Sequence, residues 1–546
     1  MLPTPGKDLA LRAVADGQKL GETERYWRMN AAEALYEGCA YEGAPSFWEA
    51  SVPLRERAPA VQSMLVRTAG DRLIALVFGD RTFPTLKVEP VGWRVALSET
   101  DQAALSALVQ ELSGTAKLRP IMRAMLRSGL RAGTACAVTG FRDGLPSVDL
   151  LPAKWCTPTF ARDGSVASMR VEYRTQGDDG KWYLHRRDVG PEKDTTFRPV
   201  CLDDLKRDEQ PRFVVESETP LPFVPVVWCR NLPDRTVREM DGYPLGHNLD
   251  GEVRALDMEL SQLHRTALYN GEPQLVRIGV DGQNPMGPSG RAAAPEPPSA
   301  TGAFSWFANA WKRAGSGGDA TKKGPGTIWN LPQGSDAKML ESTGAGAEII
   351  AKAIEGHRRV ILDAMGVVLA SPSDLGSGDL SARALSILMA PMLSRADELR
   401  VDYGDALVAI VGQLLRWCSL SDVGEAMLAT IDAARPVLAR LYAPAQGGVR
   451  WIGPRLALGW GEFFEPSWTE IQSAVTAMQT ARGGGPVVSA RRAVEMLAPV
   501  LGVEDVDAEV AAVEADEAKG AARATSLFGV NQQTGPNVAE NDDDAS

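Results

Sequence analysis

Through most of the first 135 positions, apolar residues recur at three- and four-residue steps, the period of a helix with one buried face. RYWRMNAAEALYEG, RERAPAVQSMLVRTAGDRLIALVFG and LRPIMRAMLRSGLRAGTACAVTG carry this period, the last running past Gly133 into a strand. SETDQAALSALVQELS adds a start signal, with Ser98 as N-cap and Asp101 three residues on. From about 135 to 230 the period shortens to two. RDGLPSVDLLPA, ARDGSVASMRVEYRTQGDDGKWYLHRRDV and RFVVESETPLPFVPVVWCR read as strands of a small β-rich block. Asp143 with Gly144, Asp163 with Gly164, and Asp179 with Gly180 read as hairpin turns. SMRVEYR and KWYLHRR flank the last of these and are expected to pair.

The helical period returns from Pro244 to Asn270. Val253, Leu256, Leu260, Leu263 and Ala267 make a narrow apolar stripe with charges around it, and Gly271 and Pro273 end it. Residues 282–326 are rich in Gly, Pro, Ala and Ser. They hold Arg291, Lys312, Arg313, Lys322 and Lys323 against Glu296 and Asp319, with an aromatic island, AFSWFANAW, between. A second long helix is expected over about Ala345 to Leu369, with Ile350, Ile354, Ile361 and Met365 on one side. After it come a Gly/Ser loop and a third helical pattern, about Leu380 to Leu420, with Pro391 inside it. Further on, Ser489 is a candidate N-cap, an acidic helix is expected to about Ala518, and residues 521–546 read as a disordered acidic tail.

Composition narrows the class. A chain of 546 residues exceeds what one ordinary core supports, so several domains or one elongated subunit are expected. From Val503 to Ser546, eleven acids against Lys519 and Arg523 account for −9 of the net −12. The −3 that remains makes the body nearly neutral, unlike a duplex-DNA binder with a basic face. The six cysteines (Cys39, Cys136, Cys156, Cys201, Cys229, Cys418) show no CxxC pair or zinc spacing and read as reduced thiols of a cytosolic protein. No signal-peptide pattern opens the chain, and no apolar run approaches the roughly 20 residues of a membrane span.

Catalytic motifs do not appear: there is no Walker A sequence, GxSxG elbow or HExxH. His185, His247, His264 and His357 are isolated in sequence and read as packing or surface residues. ARGGGP has no strand before it to make a phosphate cradle, and NDDDAS reads as a solvated run. No metal site and no cofactor are expected.

The order of elements carries more information than any motif. Helices, a β-rich block, a long helix, a basic Gly/Pro-rich insertion, a second long helix, a Gly/Ser loop, a proline-broken helix and small terminal helices follow one another. This order, with LDMELSQLHRTALYNGEPQLVRIG, GPGTIWNLPQGSDAKMLESTG, AEIIAKAIEGHRRVILDAMGVV and SGDLSARALSILMAPMLSRADELRVDYGDAL, resembles the portal proteins of tailed bacteriophages over about residues 20 to 520. The resemblance implies an α+β portal fold: an elongated, mainly helical subunit with a β-rich wing, long stem helices, a clip and a helical crown, assembling into a ring. It places the wing at 1–243, the first stem helix at 244–272 and the clip at 273–344 with the insertion 282–326. The second stem helix falls at 345–369, the tunnel loop at 370–379, the kinked helix and return to the wing at 380–460, and the crown at 461–520.

Function and partners follow from the same resemblance. It implies a homo-oligomeric, dodecameric ring at the capsid vertex of a virion, made in the host cytoplasm. Double-stranded DNA would pass through it without specific binding. Its partners would be the terminase large subunit, a head–tail adaptor, and the major capsid protein with its scaffold; no membrane and no catalysis of its own are implied.

Particular residues take roles in that scheme. Val253, Leu256, Leu260, Leu263, Ile350, Ile354 and Ile361 would pack the stem. Ser371, Ser373, Asp374, Gly376, Ser377, Gly378 and Asp379 would form a channel loop, whose glycines change conformation cheaply and whose small polar or acidic side chains do not grip phosphate. Pro391 would kink the helix that follows. Trp306, Phe307, Trp311, Lys312, Arg313, Lys322 and Lys323 would form a docking surface on the clip. Each feature also has a plainer reading: a surface loop before a kinked core helix, bundle helices, a solvated basic loop. Two other functions fit the same sequence, a phage connector without a DNA channel and a multidomain nucleic-acid-processing enzyme.

Overall fold

The computed structural model describes residues 24–49, 51–89, 97–205, 210–233, 240–271, 276–278, 329–331, 345–369, 387–420, 428–445, 448–463, 472–473, 476–477, 491–492, 494 and 506–529. Helix and sheet are both well represented, and the chain divides into two compact units. The first comprises Met1–Leu369 with Arg395–Gly459, the second Ala370–Ser394 with Trp460–Ser546.

The first unit opens with four helices, α1 (Glu24–Glu37), α2 (Leu65–Phe78), α3 (Glu99–Thr115) and α4 (Leu118–Ala132), with strand β1 (Thr85–Val88) between α2 and α3. Ser98 caps α3 as its sequence predicts. Its side chain accepts from the Asp101 N–H at 3.2 Å while Asp101 accepts from the Ser98 N–H, a reciprocal capping box. The expected start of α2 near residue 55 is overturned. The helix begins at Leu65, after Met64 in a left-handed conformation (φ 51°), and 55–63 runs outside it.

Two antiparallel sheets follow. One has the order β10–β2–β3, from Val226–Arg230, Thr134–Arg142 and Leu145–Leu151. The other is β4 (Cys156–Phe160), β5 (Val166–Gln176), β6 (Trp182–Val189), β7 (Lys193–Phe197) and β9 (Val215–Pro220), with β8 (Val200–Cys201) on β6. The three Asp-Gly turns stand where the sequence puts them. Asp143 and Gly144 both have positive φ (52° and 74°), the two-residue turn that matches strand twist. SMRVEYR and KWYLHRR pair, Val171 opposite Arg187 and Tyr173 opposite His185. Cys136, Val138, Cys156, Met169, Val171, Val189 and Val226 share one buried cluster. All six cysteines are free thiols.

Helices α5 (Asp250–Gly271) and α6 (Ala345–Met365) pack against each other, and short strands β11 (Val276–Ile278) and β12 (Trp329–Leu331) pair in parallel between them in sequence. Both helices are shorter than their apolar pattern suggests. Asn248 in a left-handed conformation (φ 61°) keeps 244–249 in turns. At the far end Gly366 (φ 65°) stops α6: the Val367 N–H donates to Leu362 O and the Gly366 N–H to Asp363 O. Those two bonds are a Schellman ending, which terminates the helix although Val367, Val368 and Leu369 continue the apolar run.

The long helix α7 (Ala390–Leu420) presents Leu399, Tyr403, Leu407, Ile410, Leu414 and Cys418 to the interior. It is held across β10 and β2 by polar contacts. Thr139 donates to Gln413 Oε1 at 2.8 Å, and Gln413 Nε2 donates to Val226 O at 3.1 Å. Buried Asn231 donates to Tyr243 O (2.6 Å) and accepts from the Tyr403 hydroxyl (3.2 Å). After α8 (Leu428–Arg440) and the hairpin β13 (Tyr442–Ala445)–β14 (Gly448–Trp451), strand β15 (Leu456–Gly459) pairs antiparallel with β1. In the second unit α9 runs Val506–Gly529, past the expected end at Ala518 and into the stretch that reads as a tail.

Gly129 of α4 lets Tyr403 approach. A Cβ there would stand 1.7 Å from the Tyr403 hydroxyl oxygen. Gly129→Ala should destabilise the chain by about 3 kcal/mol in urea unfolding, the upper range for overpacking. Adding Tyr403→Phe, which removes the nearest atom, should recover part of that loss.

Candidate functional site at the base of the paired helices

α5 carries polar side chains on its buried face. Val253 and Leu256 are buried as the apolar stripe predicts, but so are Asp257 and Ser261. Asp257 and Ser261 are one turn apart, and with Arg254 they take hold of the irregular segment 55–63. Arg254 donates to Arg55 O at 2.7 Å and lies 5.7 Å from the Tyr41 ring centroid. Asp257 accepts from the Ser63 N–H at 2.8 Å and from the Tyr41 hydroxyl at 3.0 Å. Ser261 accepts from the Val61 N–H at 3.0 Å and donates to Asp257 O at 2.7 Å. Backbone groups that no helix or strand satisfies are thus bonded to α5 side chains.

Burial sets the electrostatics. It raises the Asp257 carboxyl above its ordinary range, against the hydrogen bonds from Ser63 and Tyr41 that favour the charged form. Burial first, then the Asp257 carboxylate, pushes the Tyr41 phenol far above its usual value. A small pocket adjoins this cluster, lined by Leu35, Gly38, Tyr41, Met64, Val253 and Asp257 among others. Two of its polar side chains, Tyr41 and Asp257, are already bonded to each other, and Asp257 also to Ser63.

The sequence-predicted stem residues divide by position. Val253 lines that pocket with Leu35 and Met64, so it packs on the N-terminal segments. Leu260, Leu263, Ile350 and Ile354 are half-buried, and Ile361 is fully buried. Burial fades along both helices: His264, Arg265, Ala267 and Leu268 near the end of α5 are exposed, as are Glu348, Ile349, Ala351 and Lys352 near the start of α6. The pair is therefore rooted at one end and exposed at the other. His357 of α6, isolated in sequence, meets Glu252 of α5 at 2.7 Å and faces Glu259 at 3.5 Å.

Ile387 and Leu388 are helical, a turn at Met389 interrupts them, and Pro391 is the second residue of α7, which begins at Ala390. The channel-loop residues Ser371, Ser373, Asp374, Gly376, Ser377, Gly378 and Asp379 lie outside the described residues. So do the clip residues Trp306, Phe307, Trp311, Lys312, Arg313, Lys322 and Lys323. Among the described residues no group of three or more His, Cys, Asp or Glu fits a metal ion, and no helix is long and apolar enough to cross a membrane. The Asp257 lock had a signal in the sequence, a carboxylate and a serine interleaved with Val253, Leu256 and Leu260 on one helix.

Asp257→Ala should cost about 3 kcal/mol in urea unfolding, because it leaves two donors without their acceptor. Asp257→Asn, which keeps an acceptor for Ser63, should cost less. The pH dependence has a definite sign. A carboxyl raised in the folded chain holds its proton above the unfolded value of about 3.9, so stability falls as pH rises through that window. Wild-type stability relative to Asp257→Asn should therefore decline as pH climbs above about 4.

Compared with models of known protein families and with curated proteins, the chain matches none.

Proposed function

We propose that the chain is the subunit of a phage portal, a ring at the capsid vertex through which double-stranded DNA is packaged and released. In that reading it docks the terminase motor and a head–tail adaptor. The observation that carries the proposal is the α5–α6 pair, locked at its base and leaving apolar side chains uncovered along its length. Ile349 is 68% exposed and Val360 51% exposed on α6, and Leu268 is 42% exposed on α5. Ile349 and Val360 are about three turns apart and share a face, with the small residues Ala353 and Gly356 between them.

An apolar line on a helix pair suits burial against the same pair of a neighbouring copy. Successive copies in contact through unlike faces close into a ring when the rotation allows. The near-neutral charge of the body supports a conduit that does not hold DNA. The order of elements in the sequence supports the same assignment.

Electron microscopy of the purified chain, averaged down the axis, tests it. The expected result is a ring of subunits around an opening wide enough for a duplex. A ring without a through-going tunnel would favour a connector instead, and a compact monomer or dimer would favour the enzyme reading. Ile349→Glu with Val360→Glu should abolish rings while leaving the circular dichroism spectrum of the subunit unchanged. Deleting Ser373 to Gly378 should leave rings intact but impair DNA packaging or retention. Full DNA content and normal titre in virions carrying that deletion would sink the channel-loop assignment.

A further inference from the structure

His357 stands on α6 with a glutamate of α5 at each ring nitrogen. Nδ1 is 2.7 Å from Glu252 Oε2, and Nε2 is 3.5 Å from Glu259 Oε1. Glu252 and Glu259 are two helical turns apart, so they bracket the imidazole from one face of α5. Ionised carboxylates only accept hydrogen bonds, and a neutral imidazole carries a single N–H. One of the two contacts must then set a ring lone pair against a carboxylate oxygen. Only the imidazolium can donate to Glu252 and still present an N–H to Glu259, which at 3.5 Å stands at ion-pair distance.

The surroundings sharpen this demand. Glu259 Oε2 is buried and accepts no hydrogen bond, so the contact of its other oxygen with His357 matters the more. Several charges along the two helices are engaged elsewhere. On α6, Lys352 pairs with Glu348 at 2.9 Å and Arg358 with Glu355 at 3.8 Å. On α5, Arg254 donates to backbone carbonyls of 55 and 57, and Asp257 is taken by Ser63 and Tyr41. A metal ion does not account for the cluster, because the two carboxylates approach opposite edges of the ring and do not converge with it on one point.

We propose that His357 is a proton-operated latch between α5 and α6. Protonated, it bonds Glu252 and Glu259 together and clamps α6 to the same stretch of α5 that holds segment 55–63. Without its second proton it releases one glutamate, and α6 loosens on α5. The latch does not depend on the ring. Where copies assemble through these helices, it makes their stiffness respond to pH.

Hydrogen exchange of the full-length chain at about pH 5.5 and about pH 8, corrected for the intrinsic pH dependence of exchange, tests this. Amides of 250–271 and 345–365 should be protected roughly fivefold more at the lower pH, the scale of one partly exposed charged contact. Amides of β5 and β6 in the same samples report whether the fold is intact. His357→Gln should abolish the difference, and Glu259→Gln should reduce it, with β5 and β6 unaffected. Equal protection of the wild-type helices at both pH values would overturn the latch. So would a pH difference that survives in His357→Gln. A failed ring in microscopy would leave this result untouched, so the two ideas fall separately.

Discussion

A buried carboxylate, Asp257, organises the base of the α5–α6 pair. Its oxygens hold the Ser63 N–H and the Tyr41 hydroxyl, and the helix on which it stands contributes Arg254 and Ser261 to the same irregular segment. Burying an acid is costly unless its oxygens are bonded. The arrangement therefore specifies one docking of segment 55–63 on α5: a shift of either would strand polar groups away from water. The His357 contact stands on the same stretch of α5, with Glu252 before Asp257 and Glu259 after it.

A second junction fixes α7 against the rest of the first unit. Asn231, Tyr403 and Gly129 meet in a space where hydrogen bonding and close packing impose the same geometry. Gly242 adds to it, since a Cβ there would come within 2.1 Å of Asn231 O. At α1, Arg25 makes a two-pronged bond to Asp241 at 2.7 and 2.8 Å and reaches Cys156 O at 2.9 Å. Each junction joins segments far apart in sequence through a polar side chain in a mostly apolar setting. Such contacts add more to the uniqueness of the packing than to its strength.

Local rules made much of this legible in the sequence. The Ser98–Asp101 capping box and the Asp-Gly turns need only neighbouring residues, and the period-two block from 135 to 230 became two antiparallel sheets. The helical stripes located α4, α5, α6 and most of α7. Apolar periodicity misled where backbone conformation ended a helix first, at Asn248 before α5 and at Gly366 after α6. Gly366 sits inside an apolar run, which carried the expected helix on to Leu369. The partners in the polar junctions were not legible, because Asp257 with Tyr41, Asn231 with Tyr403, and His357 with Glu252 each pair residues that only the fold brings together. The residues assigned to a channel loop and a clip surface rest on the sequence resemblance alone.

The pairing of β1 with β15 has a consequence for how the chain is made. Thr85 and Gly459 meet although they stand 374 positions apart in the sequence. A ribosome must therefore synthesise nearly the whole first unit before β1 finds its partner. Until then β1 offers an unpaired strand edge beside helices already able to fold, and closing so long a loop is slow. Lys87 within the strand and Glu89 just after it place charge along that edge, a common safeguard against premature pairing with another nascent copy. Glu89 later bonds Arg455 at 2.7 Å, so the residue that guards the waiting edge also helps to close it.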